Sequence, residues 1–154
     1  GVITLTSAAQ SAVFWMKNDS ELPFIFDEIG VRFGNSTGGT GSASINLVAN
    51  STGGTIITNA LPLATNFNRD FASSKQITGF AYKGAQGYTL TGGKNAGSTA
   101  TSSFVDAITF DAGIFALRKG NDIGVLITPP AGNTSQTVVI FATGGYDSSG
   151  VKAL

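Results

Sequence analysis

Ala43-Ser44-Ile45-Asn46-Leu47-Val48-Ala49 is the stretch of this 154-residue chain that decides its fold class. Apolar side chains at Ile45 and Leu47 alternate with polar neighbours, and successive side chains of a β-strand point to opposite faces. Residues 122–128 repeat the alternation through Ile123 and Val125. The two stretches therefore predict two strands whose apolar faces meet in a core.

Similar short runs, rich in β-branched and aromatic residues and bounded by Gly, Asn, Asp or Pro, recur along the whole chain. They are residues 2–6, 12–17, 23–33, 43–49, 55–60, 76–82, 88–91, 104–109, 113–117, 122–128 and 136–143. No segment has the i, i+3, i+4, i+7 apolar spacing of an amphipathic helix. We therefore predict an all-β chain folded as one antiparallel β-sandwich of the jelly-roll type over residues 1–154.

The same alternation predicts which side chains form the core and which segment is a loop. The predicted core positions are Ile45, Leu47, Phe80, Phe110, Phe115, Ile123, Val125, Ile127, Val139 and Phe141. Residues 92–103 carry no bulky apolar side chain that could anchor them. They are therefore predicted to form a mobile loop.

Composition excludes several functional classes. Charged residues make up 12% of the chain, nine basic and nine acidic, so the basic excess that nucleic-acid binding needs is absent. No apolar run approaches the length of a membrane-spanning helix. Without His or Cys the chain has no Ser-His-Asp triad, Cys nucleophile or common zinc site. We expect no enzymatic activity, no cofactor and no metal, and neither nucleic acid nor membrane as a partner.

Asn18-Asp19-Ser20-Glu21 is the one loop whose side chains suggest a cation. Carboxylate and carbonyl oxygens are the ligands that calcium takes in proteins, so a site near Asp19 is one interpretation. The other is a solvated turn in which an Asn or Asp side chain bonds its own backbone, and we favour this second interpretation.

Phe14 and Trp15 are adjacent in the run of residues 12–17, so their side chains point to opposite faces of a strand. One of the two is therefore expected to face away from the sandwich core. Exposed aromatic residues serve either as subunit-interface anchors or as platforms for sugars. We predict a subunit interface at Phe14 and Trp15, while Tyr82, Tyr88 and Tyr146 complete the set of possible sugar platforms.

An ordered series of blocks resembles the capsid decoration, or cement, proteins of tailed bacteriophages. The blocks are Asn50-Ser51-Thr52-Gly53-Gly54-Thr55-Ile56-Ile57-Thr58-Asn59-Ala60, Asn66-Phe67-Asn68-Arg69-Asp70-Phe71, Tyr82-Lys83-Gly84-Ala85, Leu90-Thr91-Gly92-Gly93, Leu117-Arg118-Lys119-Gly120-Asn121-Asp122-Ile123-Gly124-Val125 and Thr128-Pro129-Pro130-Ala131-Gly132-Asn133-Thr134-Ser135. The resemblance spans about residues 43–146. It implies a jelly-roll protomer that forms a homotrimer on the outside of the virion, binds the major capsid protein and stabilises the shell. It implies no catalytic or cofactor residues.

The segment of residues 1–10 is uncharged and begins with apolar residues. If the resemblance holds, it is a candidate arm against the capsid, with Val2, Ile3 and Leu5 as the contacts. An ordinary edge strand of the sandwich is an equally good interpretation of the same segment. The alternative function for the whole chain is the trimeric receptor- or glycan-binding tip of a phage tail fibre, because such a lectin-like domain has the same neutral composition.

Overall fold

The computed structural model describes residues 1–59, 61–62, 79–101, 107–111 and 116–147. Eleven strands and one short helix follow one another within these ranges. They are β1 Val2–Leu5, β2 Ser11–Asn18, β3 Phe24–Thr40, β4 Ala43–Ala49, α1 Thr55–Asn59, β5 Leu61–Pro62, β6 Gly79–Lys83, β7 Lys94–Thr101, β8 Ala107–Asp111, β9 Ala116–Leu117, β10 Asp122–Thr128 and β11 Ala131–Tyr146.

The strands form two antiparallel sheets. The five-stranded sheet has the order β1-β11-β3-β8, with β9 also paired to β3, and the six-stranded sheet has the order β5-β6-β2-β10-β4-β7. The first and last strands of the chain are therefore neighbours. The all-β sandwich predicted from the alternating runs is confirmed, with almost no helix in the described part of the chain.

The main core lies between the sheets and uses the alternating residues of the central strands. Ile45, Leu47, Ile123, Val125 and Ile127 are all fully buried there, as predicted. Because β10 pairs with β2 on one side and β4 on the other, its inward side chains contact both neighbours. Phe80 and Phe110 occupy strands β6 and β8, but their side chains, like Phe115 as a whole, lie outside the described residues.

Val139 and Phe141 depart from the predicted core. The register of β11 points Val138 and Ile140 inward instead, with 0% and 3% exposure, and this leaves the two predicted residues half-buried on the outer face of the five-stranded sheet. The Phe141 ring lies over Gly30, where an added Cβ would be 2.1 Å from the ring carbon Cζ. Residues 138–141 are all apolar, so the sequence alone does not show whether the odd or the even positions face inward.

Three further local predictions are wrong. Residues 55–59 form a helical turn rather than a strand, and residues 88–90 lie in an irregular segment next to an isolated bridge at Thr91. Residues 94–101, predicted to be a mobile loop, form strand β7 and pair with β4 along its length. Backbone pairing with β4 orders this segment, although its small side chains do not predict a strand.

Candidate functional site

Strand β2 is covered on both faces. Phe14 contributes to the core between the sheets and is 4% exposed, whereas Trp15 belongs to a second apolar cluster and is 5% exposed. The two side chains do point to opposite faces, as predicted. Neither is free to anchor a subunit interface, so the prediction for Phe14 and Trp15 is corrected: the chain itself covers the outward-facing residue.

Residues 50–59 and 84–93, here called the outer layer, provide that cover on the six-stranded sheet. The two segments are joined by backbone bonds from Thr52 N to Thr91 O, at 2.9 Å, and from Thr91 N to Gly53 O, at 2.8 Å. The layer is also tied to β2 by the bond from Ala12 N to Tyr88 O, at 2.7 Å. The outer layer is therefore an integral part of the fold.

A small second core fills the space beneath the outer layer. Its buried members are Ala12, Trp15, Ile56 and Leu126. Trp15 stacks on Tyr82 with ring centroids 5.3 Å apart and planes at 23°. The Trp15 Nε1–H is buried and has no hydrogen-bond partner in the described part of the chain. An indole enclosed in this way offers no open ring face to a sugar.

An open cleft of about 450 Å³ lies beside Trp15, between the outer layer and the start of β10. Its polar floor is Asp122, which is 6% exposed. The Asp122 Oδ1 accepts hydrogen bonds from Ser51 N, at 3.0 Å, and from Ser51 Oγ. At the rim, Lys17 Nζ lies 3.0 Å from Asp19 Oδ1. These polar groups bind one another, and the arrangement fastens the outer layer to the sheet.

Sequence reasoning did not single out Asp122 and Ser51 as partners. They are 71 positions apart, and each looks like an ordinary turn or strand-end residue by itself. The one available signal was the acidic residue at the start of a strand that is otherwise apolar.

The turn after β2 has the geometry of the favoured interpretation. Ser20 N donates to Asn18 Oδ1 at 2.9 Å, which closes an Asx turn. The Asn18 amide also donates to Leu22 O and Leu117 O, while Glu21 pairs with Lys119. The acidic side chains of this turn thus face lysines, and within the described ranges no group of three or more His, Cys, Asp or Glu side chains could hold a metal ion.

Strand β1 carries the three residues predicted to contact a capsid. It pairs with β11 as the edge strand of its sheet, which is the second of the two interpretations of residues 1–10. Ile3 and Leu5 are core residues with 5% and 0% exposure, so in this fold they are not available to a partner. Val2 is 55% exposed and is the one large hydrophobic side chain among the described residues that is exposed to this degree.

The amino group of Gly1 extends the β1 pairing, since it donates to Ile140 O at 2.7 Å. Burial, and after it the positive charge of Lys83, lowers the pKa of this amino group. Lys83 lies at the end of β6, in the other sheet. The start of β1 is therefore close to the margin of the six-stranded sheet.

Comparison with known proteins gives no match to a family model, a curated protein or a solved structure. None of the helices in the described ranges is both long and apolar enough to cross a membrane.

Proposed function

We propose that this chain is a trimeric decoration protein that binds the outer surface of a bacteriophage capsid and stabilises the shell. The sequence blocks quoted above suggest this role. The observation on the fold that supports this role is the strand order.

The strand order supports a jelly roll. With the two-residue strand β9 and the edge pair β5 and β6 of the six-stranded sheet set aside, the other eight strands in chain order are arranged 1-8-3-6 in one sheet and 2-7-4-5 in the other. First pairs with last, second with seventh, third with sixth and fourth with fifth, and every pair is antiparallel. This is the pattern of one long folded ribbon that curls into two sheets, as in a double Greek key. It is also the fold that the resemblance implies.

The outer face of the five-stranded sheet supplies a surface for the proposed contacts. Val2 lies opposite Val139 in the β1–β11 pairing, and Val139 lies opposite Arg32 in the β11–β3 pairing. The half-buried Phe141 lies two positions along β11 on the same face. We assign the shell or subunit contact to this row, in place of Ile3, Leu5, Phe14 and Trp15.

The proposed mechanism is stabilisation by mass action. A ligand that binds the assembled shell and not its dissociated subunits stabilises the shell by RT ln(1 + [L]/Kd). Three linked copies would also engage neighbouring capsomers with a higher effective concentration than one copy.

The proposal is tested by mixing the purified chain with undecorated phage heads and measuring co-sedimentation. Deletion of the first residues is unsuitable, because Leu5 is fully buried and its loss would unfold the sandwich. Val2→Asp is expected to weaken coating of the heads, whereas Ser98→Asp, at an exposed position of β7 in the six-stranded sheet, is expected to leave it unchanged. The free protein should sediment near 47 kDa, three times 15.7 kDa.

Two outcomes would contradict the proposal. A chain that remains monomeric at micromolar concentration is not the proposed trimer. A chain that binds host glycans and coats no heads belongs instead to the tail-fibre alternative.

A further inference from the structure

The hydrogen bonds of β1 divide its residues into two sets. Gly1 N donates to Ile140 O at 2.7 Å, and Ile140 N donates to Gly1 O at 2.8 Å. In an antiparallel pair such doubly bonded positions alternate with positions whose backbone groups point to the other side. The odd-numbered residues of β1 therefore bond to β11, and the backbone N–H and C=O groups of Val2 and Thr4 point away from it.

At one end of β1, a side chain binds the backbone groups that follow Val2 and Thr4 on this outward edge. Thr6 N donates to Gln86 Oε1 at 2.8 Å, and Ser7 N donates to the same oxygen at 3.3 Å. The four backbone groups of Val2 and Thr4 have no partner in the described part of the chain. They form the outward edge of the first strand in the sheet order.

Apart from the Gln86 side chain at one end, the described residues give this edge none of the features that usually prevent strands from pairing between molecules. Such features are charged side chains, proline, bulges and covering segments. Val2–Leu5 reads Val-Ile-Thr-Leu, contains no charge and no proline, and keeps an unbroken register with β11. The edge is therefore open to an added strand.

We infer that β1 is a homotypic pairing edge, at which the β1 strands of two copies of this chain join antiparallel about a two-fold axis through Ile3. The inference stands apart from the proposed capsid role, because it rests only on the backbone geometry of β1. A two-fold contact is also distinct from the contacts within a trimer, and the two together would link trimers in pairs.

The choice of a second copy follows from self-complementarity. With Ile3 opposite Ile3 of the second copy, Val2 lies opposite Thr4 of that copy, and Thr4 lies opposite its Val2. Both pairs are then doubly bonded, so all four outward groups of each strand obtain partners.

Side chains and charge agree with this register. Val2 and Thr4 are both exposed on the outer face of the sheet, where each would meet the other across the two strands. Gly1 would lie opposite Leu5 of the second copy, so the two Gly1 residues lie at opposite ends of the contact. The chain has no net charge, so no overall repulsion opposes association.

A cysteine cross-link tests the register, because the chain contains no native Cys. Ile3 is predicted to form a non-hydrogen-bonded pair across the axis, with Cα atoms about 4.5 Å apart, which suits a disulfide. Val2 is diagonal to Val2 of the second copy, with Cα atoms about 7–8 Å apart, which is too far for a disulfide. Under mild oxidation Ile3→Cys should cross-link at least tenfold faster than the control Val2→Cys, although Val2 is far more exposed.

Sedimentation of Thr4→Pro provides a second test that does not depend on a core substitution. The change removes an N–H that points away from β11, so folding should be retained and checked by circular dichroism. In the native chain and in Thr4→Val, weight-average mass should double as concentration rises, to about 31 kDa from a monomer of 15.7 kDa or to about 94 kDa from a trimer of about 47 kDa, and this doubling should be lost in Thr4→Pro.

The inference is overturned if Ile3→Cys cross-links no faster than Val2→Cys, or if a folded Thr4→Pro associates like the native chain. Either result is distinguishable from failure of the capsid proposal, which is read from the coating of phage heads.

Discussion

Trp15 lies beneath the outer layer with its ring stacked on Tyr82, and its N–H has no hydrogen-bond partner among the described residues. Its packing, and not its hydrogen-bonding capacity, should therefore stabilise the fold. We expect Trp15→Ala to cost about 3–5 kcal/mol of unfolding free energy, as for other large-to-small core changes. Trp15→Phe keeps an aromatic ring and removes the unpaired donor, so it should cost less than half as much. Urea denaturation followed by circular dichroism measures both, and equal losses would indicate that the indole N–H has a bonding partner.

Gly84 and Gly124 each allow another residue to approach the backbone closely. A Cβ at Gly84 would be 1.8 Å from the Ala12 carbonyl oxygen, whereas a Cβ at Gly124 would be 2.1 Å from Leu90 Cδ1. A side-chain methyl can move and a backbone carbonyl in a strand cannot. We expect Gly124→Ala to cost about 1–3 kcal/mol, typical of overpacking, and Gly84→Ala to cost more.

Gly145→Ala is the matched control for both changes, since nothing lies within 4 Å of its added Cβ. Its effect on unfolding free energy should stay within about 0.5 kcal/mol. The reverse order of the two test variants would mean that the contact between residue 84 and β2 is looser than the structure has it.

At the scale of elements, the Asp122–Ser51 contact should decide how firmly the outer layer is attached. Asp122→Ala leaves Ser51 N–H without its acceptor and should cost about 1–3 kcal/mol. Asp122→Asn retains an oxygen acceptor and should lose less than half of that. Hydrogen exchange of the Thr52 and Thr91 amides, which bond across the layer, should accelerate in Asp122→Ala.

Unchanged exchange at those two amides, with global stability lowered, would contradict this account. It would mean that the outer layer is held by its apolar cluster alone. Ser51→Ala is the companion variant, because it removes only the hydroxyl donor and leaves the backbone bond from Ser51 N in place.

For the whole molecule, charge determines how attachment should respond to salt. The chain carries nine basic and nine acidic residues, and two ion pairs among the described residues engage Lys17 with Asp19 and Lys119 with Glu21. The proposed attachment through the outer face of the five-stranded sheet should therefore depend on apolar contact and shape. We expect head binding to change less than threefold between about 50 and 500 mM NaCl, because screening weakens interactions between charges. A steep loss of binding with salt would point to a charged surface instead.

The candidate surfaces differ in how far sequence could predict them. Adjacency alone placed Phe14 and Trp15 on opposite faces, and the uncharged start of the chain identified β1 as an edge strand or an arm. The burial of Trp15 was not predictable from its neighbours, because it depends on segments that lie tens of residues away. Ile56 reaches the second core from a five-residue helix whose β-branched residues favour a strand, so packing overrides local preference there.

The sequence by itself determined the all-β class, the boundaries of β4 and β10, the inward faces of those strands, the low content of charged residues and the net charge of zero. These follow from a period of two residues and from composition, which are properties of short segments. Only the tertiary structure decided that β7 is ordered, that β11 turns Val138 inward in place of Val139, that the outer layer covers Trp15, and that Ser51 meets Asp122. Each of these depends on contacts between residues far apart in the chain, and the free energy of such contacts is set by the packed fold and not by the local pattern.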